Sequence, residues 1–191
     1  MTALADLLAA IDADNADDPN TFDGRPLAQA QGQMADAWVT RLDPAAADAL
    51  RVAARAHHLR RWEMPRSDYP EGRDGYLRWR RDQKKAHAAR LGTLLAGADA
   101  ALVERAAAIV QKRGLGSDPE VQVFEDAVCL TFIETQFLAT ADKLGDDQKM
   151  VDVVAKTLRK MSPSGHAAAA TIALDDRSAD LLRRAVDRAT E

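Results

Sequence analysis

Apolar positions along the chain recur at intervals of three and four, and no segment sustains period-two alternation with strand-type residues. The pattern predicts helices throughout. An amphipathic run covers residues 2–13. In "RPLAQAQGQMADAWVTRL", Leu27, Met34, Trp38 and Leu42 fall roughly on one stripe, and Pro26 reads as a first-turn proline. Asp43-Pro44 reads as an N-cap followed by a first-turn proline, opening a helix that carries His57 and His58. "MPRSDYPEGRDG" has two prolines and two glycines in twelve residues and predicts a surface loop. A helix follows from Tyr76 to Leu95. Asp99 is placed to cap the next, which stops at Gly114. Asp118-Pro119 starts a long helix to Lys143, ended by Gly145. Then come "DDQKMVDVVAKTLRKM", the break "SPSG", an alanine run from His166 and a final helix near "SADLLRRAVDRA". The expected fold is all-α, a single compact domain over residues 1–191 with about eight helices.

The helix from Pro119 is apolar nearly all round, with Val121, Val123, Phe124, Val128, Leu130, Phe132, Ile133, Phe137 and Leu138, so it is expected to be central. Glu125, Asp126 and Glu134 interrupt it. A buried carboxylate needs a partner, because losing its hydration costs several kcal/mol or more unless a cation or good donors replace water. An arginine or a metal ion would serve. His57 and His58 flank the stripe of Leu50 and Ala54, and His87 shares a stripe with Leu91 and Leu94, so all three are expected to face inward. Imidazole plus carboxylate is the donor set of a transition-metal site. The competing expectation is three histidines satisfied separately.

Charge sharpens the picture. Apolar residues make up 47% of the chain and charged residues 29%, with a net charge of −4. Residues 51–90 nevertheless carry 12 Lys/Arg against 5 Asp/Glu, while the remainder carries 14 against 25. A local basic cluster in an acidic chain suits a small anionic or phosphorylated molecule better than nucleic acid; a solvated basic face is the alternative. No apolar stretch is long enough for a membrane span, and the N-terminal segment turns acidic at once, unlike a signal peptide. The one cysteine, Cys129, excludes an internal disulfide and reads as a core residue. A cytoplasmic location is the expectation.

Two further stretches are candidates for ligand contact. In "RKMSPSGHAA", Ser162 or Ser164 can cap a helix whose free amides suit phosphate, with Arg159, Lys160 and His166 beside it; an ordinary capping turn is the alternative. "RRWEMPRSDYP" and "GYLRWRR" interleave Arg60, Arg61 and Arg66 with Trp62, Tyr69, Tyr76 and Trp79, a mixture that holds bases and phosphates or simply packs a loop. Glu63 is a candidate to orient a water. "DADNADDPN" lacks the glycine and terminal glutamate of a calcium loop.

The inward histidines followed by a distant aspartate resemble the HD-domain superfamily of metal-dependent phosphohydrolases. In the resemblance the adjacent pair is His57-His58, with histidine in place of the expected aspartate. Asp126 in "FEDAVCL" is the distant acid, and His87 matches the extra histidine of two-metal members. Gln31 or Gln33 stands where the first ligand is expected. A likeness over nearly the whole chain is carried by "DADNADDPN", "AARAHHLRRWEMPRSDYPEGRDGYLRWR", "DPEVQVFEDAVCLTF" and "RKMSPSGHAAA", which resemble signatures of the domain of unknown function 4202 family.

The superfamily resemblance implies an HD-like, metal-dependent hydrolase of a small phosphorylated compound, such as a nucleotide. His57, His58, His87 and Asp126 would hold a divalent ion (Mn, Fe, Zn or Mg). Glu63 and Glu125 would handle protons. Arg60, Arg61, Trp62, Arg66, Lys160, Ser162 and His166 would bind substrate. The alternatives are a non-catalytic small-ligand-binding protein on the same fold and a di-iron oxygenase of HD type.

Overall fold

The helical periodicity is realised along almost the whole chain in the computed structural model, which describes residues 2–190. Helix α1 (Leu4–Asn15) leads into an antiparallel hairpin of two short strands, β1 (Thr21–Phe22) and β2 (Arg25–Pro26). Its Asp23-Gly24 turn has positive φ at both residues, the geometry that matches the strand twist. Then come α2 (Leu27–Leu42), α3 (Asp48–Arg55), single 3-10 turns at Arg61–Glu63 and Arg66–Asp68, α4 (Gly72–Leu94) and α5 (Ala100–Val110). The chain continues through α6 (Pro119–Thr135), α7 (Phe137–Leu144), α8 (Asp147–Leu158), α9 (Pro163–Ala169) and α10 (Asp176–Thr190).

The fold is all-α, and its helices are shorter and more numerous than expected. The helix from Pro119 stops at Thr135, where Thr131 Oγ1 and Thr135 Oγ1 bond back to the carbonyls of Ala127 and Thr131 at 2.9 and 2.7 Å, a pattern that loosens helical geometry. Asp43 closes α2 instead of opening α3, which starts only at Asp48. The two histidines therefore lie just beyond the C-terminus of α3. Pro26 sits one residue before α2, as the last residue of β2. The caps at Asp99 and Asp118 form as expected, each side chain accepting from the first-turn amides.

Helix α6 is the axis of the molecule. It packs against α2, α3, α5, α7 and α9, and buries Val121, Phe124, Ala127, Leu130 and Ile133. Each large apolar side chain so buried contributes roughly 1.5–3 kcal/mol. Helix α3 is built from small residues, with Ala49, Leu50, Val52, Ala53 and Ala54 all buried, so α2 can approach closely. At that crossing a Cβ on Gly32 would overlap the Arg55 carbonyl oxygen. Arg51 and Arg55 grip Asp36 on α2, and Arg55 also reaches Asp12 on α1. One continuous apolar cluster runs from Leu7 to Ala185, which joins the α8–α10 pair to the rest. Among the described residues no helix is long and apolar enough to cross a membrane.

Candidate functional site

Past α3 the chain tightens into a turn that ends with Arg60 in the left-handed conformation, φ 49°. The two histidines of this turn are held in different ways. His57 Nδ1 donates to the Ala54 carbonyl at 2.8 Å, which leaves the lone pair on Nε2. His58 Nδ1 lies 2.6 Å from Gln31 Oε1. Gln31 Nε2 donates to Thr135 Oγ1 at 3.0 Å, and that hydroxyl donates in turn to the Thr131 carbonyl at 2.7 Å. The order of donors assigns the Gln31 oxygen to His58, so His58 carries its proton on Nδ1 and its lone pair on Nε2. The two rings lie 4.0 Å apart at 38°, and His87 of α4 stands 6.2 Å from His58, nearly edge-on. His57 and His87 are buried and His58 half-buried; His87 Nε2 is enclosed without a hydrogen-bond partner in the protein.

Cations gather around these rings. Arg80, Lys84 and His87 recur at four and three residues along one face of α4. Arg61 arrives from the 3-10 turn, whose backbone is tied to α4: Gln83 Nε2 donates to the Arg61 and Met64 carbonyls at 3.2 and 2.7 Å, and Trp79 Nε1 to the Met64 carbonyl at 2.9 Å. The Arg61 guanidinium stacks over Trp79, 4.6 Å from the ring centre. Lys112 follows α5 in the left-handed conformation, φ 59°, and its ammonium is paired with the buried Glu125. His57, His58, His87, Arg61, Arg80, Lys84 and Lys112 line one cleft of about 50 Å³, and no carboxylate lines it. That volume admits a few water-sized groups, the scale of a tetrahedral oxyanion. Among the described residues, Arg61, Arg80 and Lys84 form no ion pair.

Burial and crowding act together on titration here. Burial pushes His57 down to about 4, with Lys112 and Arg61 adding to the effect and the Ala54 hydrogen bond opposing it. Burial first, then the Arg61 charge, pushes His87 down to about 3. His58 is held well below its ordinary value by burial and by its neighbours His57 and Arg61. All three are neutral at physiological pH. Arg61 is lowered to about 10 by burial and by Arg80, and Lys84 is lowered by burial, Lys112 and Arg80. The cleft is a cluster of positive charge with too few counter-charges.

The other candidate residues lie elsewhere. Asp126 points from α6 toward the start of α9. It accepts from Ser162 N at 2.9 Å, Ser162 Oγ at 2.5 Å and Gln122 Nε2 at 3.1 Å. The fit is tight enough that a Cβ on Gly165 would sit 2.7 Å from Asp126 Cγ. Its partners are therefore donors of the protein. Ser162 caps α9, Lys160 is exposed, and His166 Nε2 donates to the Leu158 carbonyl at 2.7 Å beside a separate apolar cavity of about 550 Å³ between α9, the segment that follows it and α10. Arg60 turns toward the end of α1, reaching the Asp14 carbonyl and Asp17 and stacking on Trp62. Glu63 is exposed and accepts from Arg60 Nε at 2.5 Å. Arg66 ties its own loop through the carbonyls of Tyr69 and Pro70. Glu125 is occupied by Lys112.

Three of the four expected metal ligands thus meet, but the acid is spent elsewhere and the space around the imidazoles is cationic. Among the described residues no group of three or more His, Cys, Asp or Glu side chains could hold a metal ion. Three imidazoles set among four fixed cations do not fit a divalent ion or a di-iron pair, whose added positive charge those cations repel. Of the residues lining the cleft, Arg80 lies within the candidate stretch "GYLRWRR", whereas Lys84, Gln83 and Lys112 lie outside every motif. The spacing of Arg80, Lys84 and His87 on one helical face was the available signal for Arg80 and Lys84; nothing local marked Lys112. The model of the family described as domain of unknown function (DUF4202) matches residues 5–182, and no curated protein and no solved structure matches the chain.

Proposed function

The chain belongs to the DUF4202 family, and we propose that it binds a small phosphorylated compound in the cleft between the turn after α3, α4, the end of α5 and α6. The observation that supports this is the set of Arg61, Arg80 and Lys84, held in one small concavity without carboxylate partners. Fixed unpaired cations in a partly desolvated pocket repel one another, and a phosphate dianion removes that repulsion. Guanidiniums also match phosphate oxygens in a forked, two-bond geometry. Arg61 is preset for the task, since Trp79 holds its plane and Gln83 holds its backbone. The neutral histidines add sites that exchange hydrogen bonds with ligand oxygens without adding charge. The chemistry this equips is phosphoryl chemistry. Metal-dependent hydrolysis on the HD pattern has less support, because its aspartate is bonded to Ser162.

Titration calorimetry with inorganic phosphate, at constant ionic strength and against chloride, tests the reading. Saturable binding weakened about tenfold or more by Arg61→Ala is expected, since a charge-assisted contact contributes roughly 1.5–3 kcal/mol. Equal affinity in wild type and Arg61→Ala would overturn it.

A further inference from the structure

Resting on that anion-binding reading, we propose that His58 Nε2 is a nucleophile that accepts the phosphoryl group of a phosphomonoester, making a phosphohistidine in the cleft. Three observations carry this. His58 Nδ1 donates to the Gln31 oxygen at 2.6 Å, and the Thr135 hydroxyl fixes which way the amide faces, so the lone pair is locked on Nε2. His58 is the middle ring, 4.0 Å from His57 and 6.2 Å from His87, and it is the half-buried one of the three. The cations that would bear on the phosphoryl oxygens, Arg61, Arg80, Lys84 and Lys112, line the same cleft.

Among the described residues no carboxylate or thiol lines it to compete with the imidazoles. The Glu125 carboxylate is held by Lys112, and the Cys129 thiol is buried and pushed up to about 12, first by burial and then by Glu125. An imidazole kept neutral is the ready form, because only the lone pair attacks.

In the step, the Nε2 lone pair bonds to phosphorus and the bond from phosphorus to the leaving alcohol oxygen breaks. The Lys84 ammonium gives its proton to that oxygen. The phosphoimidazolium so formed keeps its Nδ1 proton, and the Gln31 oxygen stabilises the positive charge. A water then attacks phosphorus, its proton returns to the Lys84 amine, and the phosphorus–nitrogen bonding pair goes back to Nε2. The sum is phosphomonoester plus water giving alcohol plus inorganic phosphate. Gln31 is a positioning residue here, and His58 a catalytic one.

Phosphoramidate, a donor small enough for the cleft, supplies the test. The full chain is incubated with it, and the modified site is read by peptide mass spectrometry and phosphorus NMR. The expected result is one phosphoryl group on His58, stable in base and lost in acid, with the Nε2 isomer alone. Gln31→Leu is expected to slow its formation about tenfold and to yield both ring isomers, a change that a merely structural role would not produce. Phosphate binding by wild type with no phosphoryl on His58, or label shared among the four histidines, would overturn the proposal while leaving the binding reading intact. No binding of inorganic phosphate at all would defeat that reading instead.

Discussion

Glu125→Gln is the sharpest perturbation of the cationic cleft. The Glu125 side chain is 4% exposed and its partner Lys112 14% exposed, so the pair is buried from both ends. Removing the carboxylate strands the Lys112 ammonium beside Arg61, Arg80 and Lys84. Breaking a buried pair in this way costs about 3–5 kcal/mol. In a chain of this length each kcal/mol lowers the melting temperature by about 2–4 °C, so a fall of about 6–20 °C is expected. The same change should favour an anion. At an effective dielectric constant of about 20, losing one negative charge several ångströms away strengthens phosphate binding by roughly 1–2 kcal/mol, or about tenfold. Thermal melts of wild type and Glu125→Gln, in chloride and in phosphate of equal ionic strength, measure both effects. The upward shift with phosphate should be larger in the variant. A variant that melts within 2 °C of wild type, or that gains less from phosphate than wild type does, would refute the view of the cleft as an under-compensated cationic site.

Two other outcomes follow from the same structure. Asp126→Ala strands the Ser162 amide and hydroxyl, while the Gln122 amide keeps the Lys160 carbonyl, and should cost about 2–4 kcal/mol equally in chelator and in excess Mn²⁺; a loss that appears only with metal would return Asp126 to the role of ligand. His57 falls from its ordinary 6.5 to about 4, so on acidification the unfolded chain takes up the proton first and stability is lost as the pH falls from about 6.5 toward 4. For His57 alone the loss between pH 7 and pH 5 is about 2 kcal/mol, and urea titrations of wild type and His57→Gln should show the variant with the flatter dependence.

The fold was legible where the signal is local. Asp99 and Asp118 precede their helices with the expected side-chain caps, and the all-round apolar stretch from Val121 to Ile133 does lie at the centre. Asp43-Pro44 carried the same cap signature, but Asp43 terminates α2, and the small residues after it let the chain turn before α3 begins. The inward direction of His87 was legible from its stripe on α4, whereas His57 and His58 are placed by the turn that follows α3. The partner of Asp126 was not, because it is a serine 36 residues away whose cap position exists only once α9 docks on α6. Lys112 was hidden for a related reason. In a string such as "QKRGLG" a lysine reads as solvated, and only its left-handed backbone swings it onto Glu125.

The neighbouring imidazoles of the cleft inherit their protonation from different sources. His57 is oriented by the Ala54 carbonyl, a main-chain group that every amino acid at that position would supply. Its tautomer is thus insensitive to mutation of its partner and depends only on the path of the chain leaving α3. His58 depends on the Gln31 amide, which a single codon change can remove. Drift in this family can therefore retune one ring while the other stays constant. A lineage carrying glutamate at position 31 would hold the same proton more firmly, and one carrying leucine would release it to either nitrogen. Position 31, on a helix remote in sequence from the histidines, is where the chemistry of the pair is open to adjustment.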